Sequence, residues 1–472
     1  MSIKHIACIF SLAIWALASE SGSAHAEVAW RAGTARVIIT PTETMWMAGF
    51  AARTNPATGK LTDLWAKALA LEDSSGHRAV IVTSDLLGIP QNIYQHVCTA
   101  VGEKLHLQPD QIILSASHTH CGPVLRNALY DIYPLDDAQR ELIEQYSTRL
   151  ESQLVEIIGK ALEDLAPALV ASGQGTAGFA VNRRNNREPE VPQLIKAGAL
   201  KGPVDHDVPV LAVYLPDGKL KAVLCGYACH NTSMDGNEWC SDYSGFAQMA
   251  LEKSHPGAQA MFFMGCGGDQ NPLPRRAFNL GERYGNMLAA AVEEVLIAPP
   301  HNLKPELVTK MKMTPLHLGA ALTTNELQQL VRDPLPPTRR WAARWLAFLE
   351  SGKTLPREYA YPMQCWQFGG EQLLITLGGE PVVDYANKFK QAFGPQTWVA
   401  GYCNDVMTYI PSLRVLKEDD VTKPGERWGY EGSYCFVVYG LPAKRWSEDV
   451  EELITKTGHE LVSELPAKNY SK

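Results

Sequence analysis

Short, fully apolar runs alternate with amphipathic stretches along most of the chain. That alternation predicts an α/β protein built of mixed β-sheets with packed helices. The run AVIVTSDL at 79–86 predicts a buried strand, 89–105 a helix, and QIILSAS at 111–117 the next strand. A long helix fits 136–165, where Asp136 and Asp137 place negative charge at the favourable end of the helix dipole. Further strands fit 208–215, 222–229 and 259–265, followed by a helix over 279–296. The stretch 301–360 carries DPLPP and RRWAARW between helical patterns and predicts a helical excursion on the same domain. Strands return from 364, with QLLITLGGE ending at Glu380, a helix over 382–393 and a strand over 398–402. Without repeats, low-complexity linkers or charge blocks, 27–472 is expected to form one domain.

Composition adds three constraints. With 46% hydrophobic and 20% charged residues over 472 positions, the chain has ample material for a core and no mark of disorder. A net charge of -8 with no concentrated Lys/Arg surface argues against a nucleic-acid partner. Residues 1–26 have an early lysine, an apolar stretch from Ile6 to Ala18 and the small-residue ending Ala24-His25-Ala26, which reads as a cleaved signal for export. The apolar stretch is short for a membrane span, and no later segment is long and apolar enough, so membrane contact is expected to be at most transient and at the surface. Nine cysteines follow the signal, and an odd number leaves at least one outside intrachain disulfides. Several sit in apolar runs, where a buried free thiol is the simplest reading.

Chemistry-bearing residues gather at predicted strand ends, where open α/β sheets place their clefts. In SASHTHCGP, His118 and His120 follow an apolar strand two residues apart, so strand alternation would turn both to one side. Taken alone the pair is either a metal site or two hydrogen-bonded histidines. The run LCGYACHNTSMDG ends at His230, a third strand ends in MGCGGDQNP with Asp269 and Asn271, and a fourth ends in LGGE at Glu380. Neutral imidazole is the commonest zinc ligand, and a mixed histidine and carboxylate set leaves room for water as catalytic zinc sites do. The glycine-rich turn itself, with Asp269 as a helix-capping carboxylate, has a purely structural reading too, and it lacks the spacing of a phosphate loop.

Taken together these segments resemble the neutral, non-lysosomal ceramidase family. The matching motifs run in order: RVIITPTETMWMAGFAAR, SASHTHCGP, VNRR at Val181 to Arg184, ACHNTSMDG, SDYSG, MGCGGDQNP, LGGEP, and GYCNDVMTYIPS followed by GYEGS. The resemblance implies the family's catalytic-domain fold and one zinc ion held by His118, His230, Glu380 and Tyr409. It also places His120 and Arg183 beside the metal, with Arg184 as the alternative register. From spacing alone Tyr409 would be a core or hydrogen-bonding tyrosine, and Arg183 equally a surface charge or a substrate-binding group. Chemically, His120 and Arg183 suit a hydrolase that polarises a carbonyl and stabilises an oxyanion. Asp269 and Asn271 are expected to face substrate or support the residues that do, and Asp242 in SDYSG to orient a ligand histidine through its ring nitrogen.

Two departures bear on the substrate. Where the family carries a serine before the proline of GGDQNP, this chain has Asn271, so a hydroxyl nucleophile is absent there and attack by zinc-activated water is favoured. Cys121 stands where a serine usually follows HTH, as a packed thiol or a further ligand. The sequence ends at Lys472 soon after the last motif, so the family's C-terminal immunoglobulin-like domain, and any membrane docking it gives, is expected to be missing.

The sequence thus predicts an exported, zinc-dependent hydrolase that cleaves an amide of an N-acyl lipid. Esterase or lactonase activity, or cleavage of a smaller N-acyl compound, is the alternative within enzymes. A non-catalytic envelope binding protein is the alternative outside them, and a purely structural metal disagrees with the mixed ligand set.

Overall fold

A computed structural model describes residues 30–419 and 429–466. The expected export signal over 1–26 lies outside the described residues. Among them, no helix is long and apolar enough to cross a membrane.

A nine-stranded sheet forms the frame. Its order is Gln259–Met264, Leu220–Tyr227, Asp207–Tyr214, Ala166–Thr176, Trp30–Ile38, Trp65–Glu72, Arg78–Ser84 and Ile112–Ala116, with His301–Asn302 paired to Ala166–Thr176 off this path. The two outermost pairs are parallel and the pairs along the path between them are antiparallel. Alternating residues sort to two faces, as the pleat requires. Val80 and Val82 meet the helices Gln91–Leu105 and Asp137–Glu163, whereas Ala79 and Ile81 turn to the opposite side.

The long helix Asp137–Glu163 shows why the local sequence folds as it does. Asp136 caps it by accepting from the Gln139 N–H at 2.8 Å, and Ile143, Leu150, Leu154, Ile157 and Ile158 form the stripe it buries. Behind the other half of the sheet, Asp242–Ser254 and Phe278–Ile297 pack on Val210, Val223 and Phe262.

A second, four-stranded sheet, Leu307–His317, Glu358–Phe368, Gln372–Leu377 and Trp398–Ala400, closes the opposite side. Trp366, Phe368 and Trp398 meet Trp30, Ile81 and Met261 between the sheets. Full burial of a side chain such as Phe368 contributes roughly 1.5–3 kcal/mol. The segment 401–404 joins the two edges of the large sheet: Gly401 N–H donates to Met264 O, Ala116 N–H to Tyr402 O, and Asn404 N–H to Leu114 O. The strand ends that carry the histidines are thereby drawn together.

Two expectations need correction. The stretch 301–360 is only partly helical, with helices Thr324–Leu330 and Pro336–Glu350 set between two long strands of the small sheet. The strand alternation Lys-x-Lys-x in KMKMTPLH was hidden by the surrounding Pro and Arg clusters. The strand before SASHTHCGP ends at Ala116, and His118 adopts a left-handed backbone (φ 60°), so alternation along a strand does not aim the two histidines. The nine described cysteines are all buried and free, as the apolar context suggested.

Candidate metal centre

His118 and His230 are brought side by side by a parallel bridge between Thr119 and Asn231, which links the two loops that follow the sheet. Each ring is fixed by the same device. His118 Nδ1 lies 2.7 Å from Leu87 O, and His230 Nδ1 lies 2.7 Å from Gly267 O. A carbonyl oxygen can only accept, so each Nδ1 carries the ring proton, and in a neutral ring each Nε2 presents a lone pair.

Those two lone pairs converge on a carboxylate. Glu380 Oε2 is 3.2 Å from His118 Nε2 and 3.3 Å from His230 Nε2, and all three residues are buried. Tyr439 Oη donates to Glu380 Oε1, and Tyr402 Oη reaches Oε2 at 3.4 Å. The Tyr409 hydroxyl sits 2.9 Å from His230 Nε2 and accepts from Arg183 Nη2 at 3.1 Å. His120 Nε2 lies 3.2 Å from His118 Nε2, and its buried Nδ1 has no hydrogen-bond partner. Two imidazole lone pairs and a carboxylate oxygen in mutual contact repel one another unless a cation sits among them. The donor chemistry therefore fits a metal, and His118, His120 and His230 form a group whose ligand atoms lie within 4.8 Å of one another.

Electrostatics agree with this reading. Burial, then the Arg183 charge, then His118, push His230 down to about 3, so it is neutral near pH 7. Burial and the two neighbouring imidazoles also hold His120 well below its usual value. For Glu380, burial alone would favour the protonated form, but the charge and hydrogen bonds of His118 and His230 outweigh it and hold the carboxyl well below the usual range. Burial first, and Glu380 second, push the Tyr409 phenol up.

Arg183 belongs to the site rather than to the surface. The strand Ala180–Asn182 pairs with Gln270–Pro272, and Arg183 N–H donates to Asp269 O, which turns the guanidinium inward. There it contacts Glu431 (2.8 Å), Asn271 Oδ1 (3.3 Å), Tyr409 and His230 Nε2 (3.4 Å). Arg184 pairs with Glu418, Asp419 and Glu431 and touches neither His230 nor Tyr409.

Other expected residues take supporting places. Asp269 is fully buried and does not line the cavity at the site; its oxygens accept from Val383 N–H, Gln270 Nε2 and Asn182 Nδ2, each at 2.9 Å. It positions three segments and does not face substrate. Asp242 does not touch a histidine ring: it accepts from the Ser233 hydroxyl and from Ser233 and Met234 N–H, clamping the loop after His230. The ring proton it was expected to hold goes to Gly267 O instead. Cys121 is buried without ligating geometry, its carbonyl accepting from Cys240 N–H.

The centre opens into a cavity of about 1120 Å³ lined by His120, His230, Arg183 and Tyr409, by apolar residues including Phe50 and Ile132, and by Leu335, Pro336 and Pro337 at the start of the helix Pro336–Glu350. Tyr402, Tyr430, Glu431 and Phe50 fall inside motifs quoted above but were not singled out individually. Tyr439 lies in no motif, and only packing reveals it.

Residues 30–280, more than half of the chain, match the family model for neutral/alkaline non-lysosomal ceramidase, N-terminal. A neutral ceramidase of Drosophila pseudoobscura pseudoobscura is 27% identical over 267 residues, covering 54% of this chain and 36% of that protein. Neutral ceramidase B of Dictyostelium discoideum is 28% identical over 200 residues, covering 40% of this chain and 26% of its own length. The matched stretches thus span about a third or less of these relatives. Among solved structures, neutral ceramidase from Pseudomonas aeruginosa superposes with a TM-score of 0.68 at 19% identity, covering 94% of this chain and 76% of that one. A ceramidase complexed with C2 gives 0.64 at 18%, covering 94% and 77%. These two similarities establish a shared fold of mixed sheets and packed helices, and the family match establishes that the chain belongs to the neutral/alkaline non-lysosomal ceramidases.

Proposed function

We propose that this protein is an exported, zinc-dependent hydrolase that cleaves the amide bond of an N-acyl lipid of the ceramide kind. The observation that carries this reading is the convergence of His118 Nε2, His230 Nε2 and Glu380 Oε2, with the Tyr409 hydroxyl, at the floor of a large cavity with apolar walls. His118, His230, Glu380 and Tyr409 would hold the ion. Bound zinc supplies Lewis acidity for a carbonyl and makes water acidic enough to act as nucleophile near neutral pH.

The chain's own residues supply the rest. Arg183, already aimed at Tyr409 and His230, stabilises negative charge as it develops on the carbonyl oxygen. His120 is neutral near pH 7, lines the cavity, and turns its Nε2 to the centre, 3.2 Å from His118 Nε2. It takes the proton of the attacking water and passes it to the leaving nitrogen. Asn271 offers no hydroxyl, so no acyl-enzyme forms at that position; it accepts from Arg183 and holds the guanidinium in place. Apolar walls accept the acyl chain.

The test combines metal and turnover. Purified protein should carry about one zinc per chain and hydrolyse N-acyl-sphingosine or a simpler N-acyl amide, and a chelator should abolish this until zinc is restored. His118→Ala should lose both metal and turnover. Protein that binds no zinc, or that cleaves amides equally well after chelation, contradicts the proposal.

A further inference from the structure

The walls of the cavity carry a charge that the amide chemistry does not use. Three arginines line it, Arg183, Arg275 and Arg340, with one acidic residue, Asp333. Two of the arginines are neutralised from behind. Arg183 pairs with Glu431 at 2.8 Å, and Arg275 pairs with Glu188 at 2.9 Å.

Arg340, on the helix Pro336–Glu350, is different. Its Nε and Nη2 donate to the backbone carbonyls of Asp131 and Ile132 at 2.8 and 3.0 Å, which fix the guanidinium in the wall. Carbonyls orient it without cancelling its charge. The carboxylate next to it, Asp131, is engaged by Arg344 through both of its oxygens. Asp333 accepts from Leu335 N–H at 2.8 Å and does not pair with Arg340. Among the described residues no carboxylate lies in ion-pair range of Arg340. Burial weighs against its charge, Asp131 offsets this in part, and the neighbouring Arg339 adds to the strain.

A partly buried, oriented guanidinium with no carboxylate partner presents an uncompensated positive charge to whatever enters the cavity. Its planar fork suits a carboxylate or another oxyanion. We propose that Arg340 is a specificity-determining residue, the binding group for an anionic substituent on the substrate, so that the amphiphile cleaved here carries a negative charge beside its acyl chain and amide. Resting on the amidase reading above, this sets the substrate apart from an uncharged N-acyl-sphingosine. The same metal centre and apolar walls serve both, and the wall at Arg340 makes the distinction.

The experiment uses matched pairs: N-dodecanoyl glycine and N-dodecanoyl-6-aminohexanoate, each against its primary amide, which differs only in lacking the charge. Zinc-loaded wild-type protein should favour the acid of at least one pair in kcat/KM by on the order of tenfold, as a charge-assisted hydrogen bond predicts. Arg340→Gln should abolish that preference, and Arg340→Lys, which loses the fork but keeps the charge, should retain part of it. Matching thermal unfolding of the two variants shows that both are folded. Equal turnover of acid and amide by the wild type in both pairs, or an unchanged preference in R340Q, overturns the assignment.

If neither these four compounds nor N-acyl-sphingosine is cleaved, the amidase reading fails, and calorimetric binding decides the subsite separately. Wild-type protein that binds an acid tighter than its amide, with the difference lost in R340Q, supports the subsite. Equal affinities refute it.

Discussion

Glu380 and Tyr409 are register partners in a two-residue parallel ladder, Glu380–Pro381 against Tyr409–Ile410. Residues 29 positions apart are thus set side by side by backbone pairing, with Glu380 N–H donating to Thr408 O and Val382 N–H to Ile410 O. Carboxylate and phenol therefore enter the centre on one rigid element, and Tyr439 steadies the far oxygen of Glu380.

This arrangement predicts an order of metal affinities. Glu380→Gln should lose zinc most, Tyr409→Phe less, and Tyr439→Phe least. Even the last should weaken binding by roughly tenfold, the scale seen when a ligand loses its outer partner. Competition with a zinc-sensitive dye measures all three, and unchanged affinity in Glu380→Gln would remove that residue from the ligand set.

Gly49 tests the role of His120 without touching the ligands. Its backbone is left-handed (φ 102°), and a Cβ there would lie 2.4 Å from His120 Nδ1. Gly49→Ala should displace the His120 ring, lowering kcat by on the order of a hundredfold or more, the scale of lost general acid–base catalysis. Zinc content should stay at the wild-type level. A variant with full kcat would show that His120 has no part in the reaction.

Asp269 should matter for stability. Replacing it with Ala leaves Val383 N–H without an acceptor and takes one of two acceptors from Gln270 Nε2 and Asn182 Nδ2, which keep Pro203 O, all in a fully buried place. A loss of about 2–4 kcal/mol is expected, since each unsatisfied buried donor costs about 1–3 kcal/mol. Denaturant unfolding reads this directly, and a change below 1 kcal/mol would mean that the three segments do not depend on it.

Asp405 predicts a pH dependence away from the metal. Burial raises its carboxyl to about 7, while the hydrogen bond from Tyr359 at 2.7 Å opposes the rise. Between the unfolded value near 4 and this folded value the native state holds a proton that the unfolded chain has released, so stability falls as pH rises through that window. The slope from this group approaches about 1 kcal/mol per pH unit. Asp405→Asn removes it, and unfolding free energies at pH 5, 6, 7 and 8 should show the variant gaining on wild type with each step. Parallel profiles would place the Asp405 carboxyl at an ordinary value.

The sequence by itself determined much of the secondary structure and most of the centre's cast. The buried runs before His118, His230 and Asp269 read as strands because each belongs to a parallel pair at one end of the large sheet, and strands covered on both faces must be apolar throughout. The long helix read correctly because its cap and its buried stripe are both local patterns. His118, His230 and Glu380 were legible as strand-end donors, and Tyr409, His120 and Arg183 through the family's motifs.

Tertiary structure decided what depends on distance. The two edges of the large sheet meet only because 401–404 bonds to both, and the helical stretch within 301–360 proved to be framed by strands of a second sheet. The partners of each ring proton are carbonyls of Leu87 and Gly267, and every residue carries such a carbonyl, so no sequence pattern could name them. Tyr439 and Arg340 are invisible for a related reason. A tyrosine in an apolar helix and an arginine in an amphipathic one look like packing and solvation until the fold shows which groups they meet and which they lack.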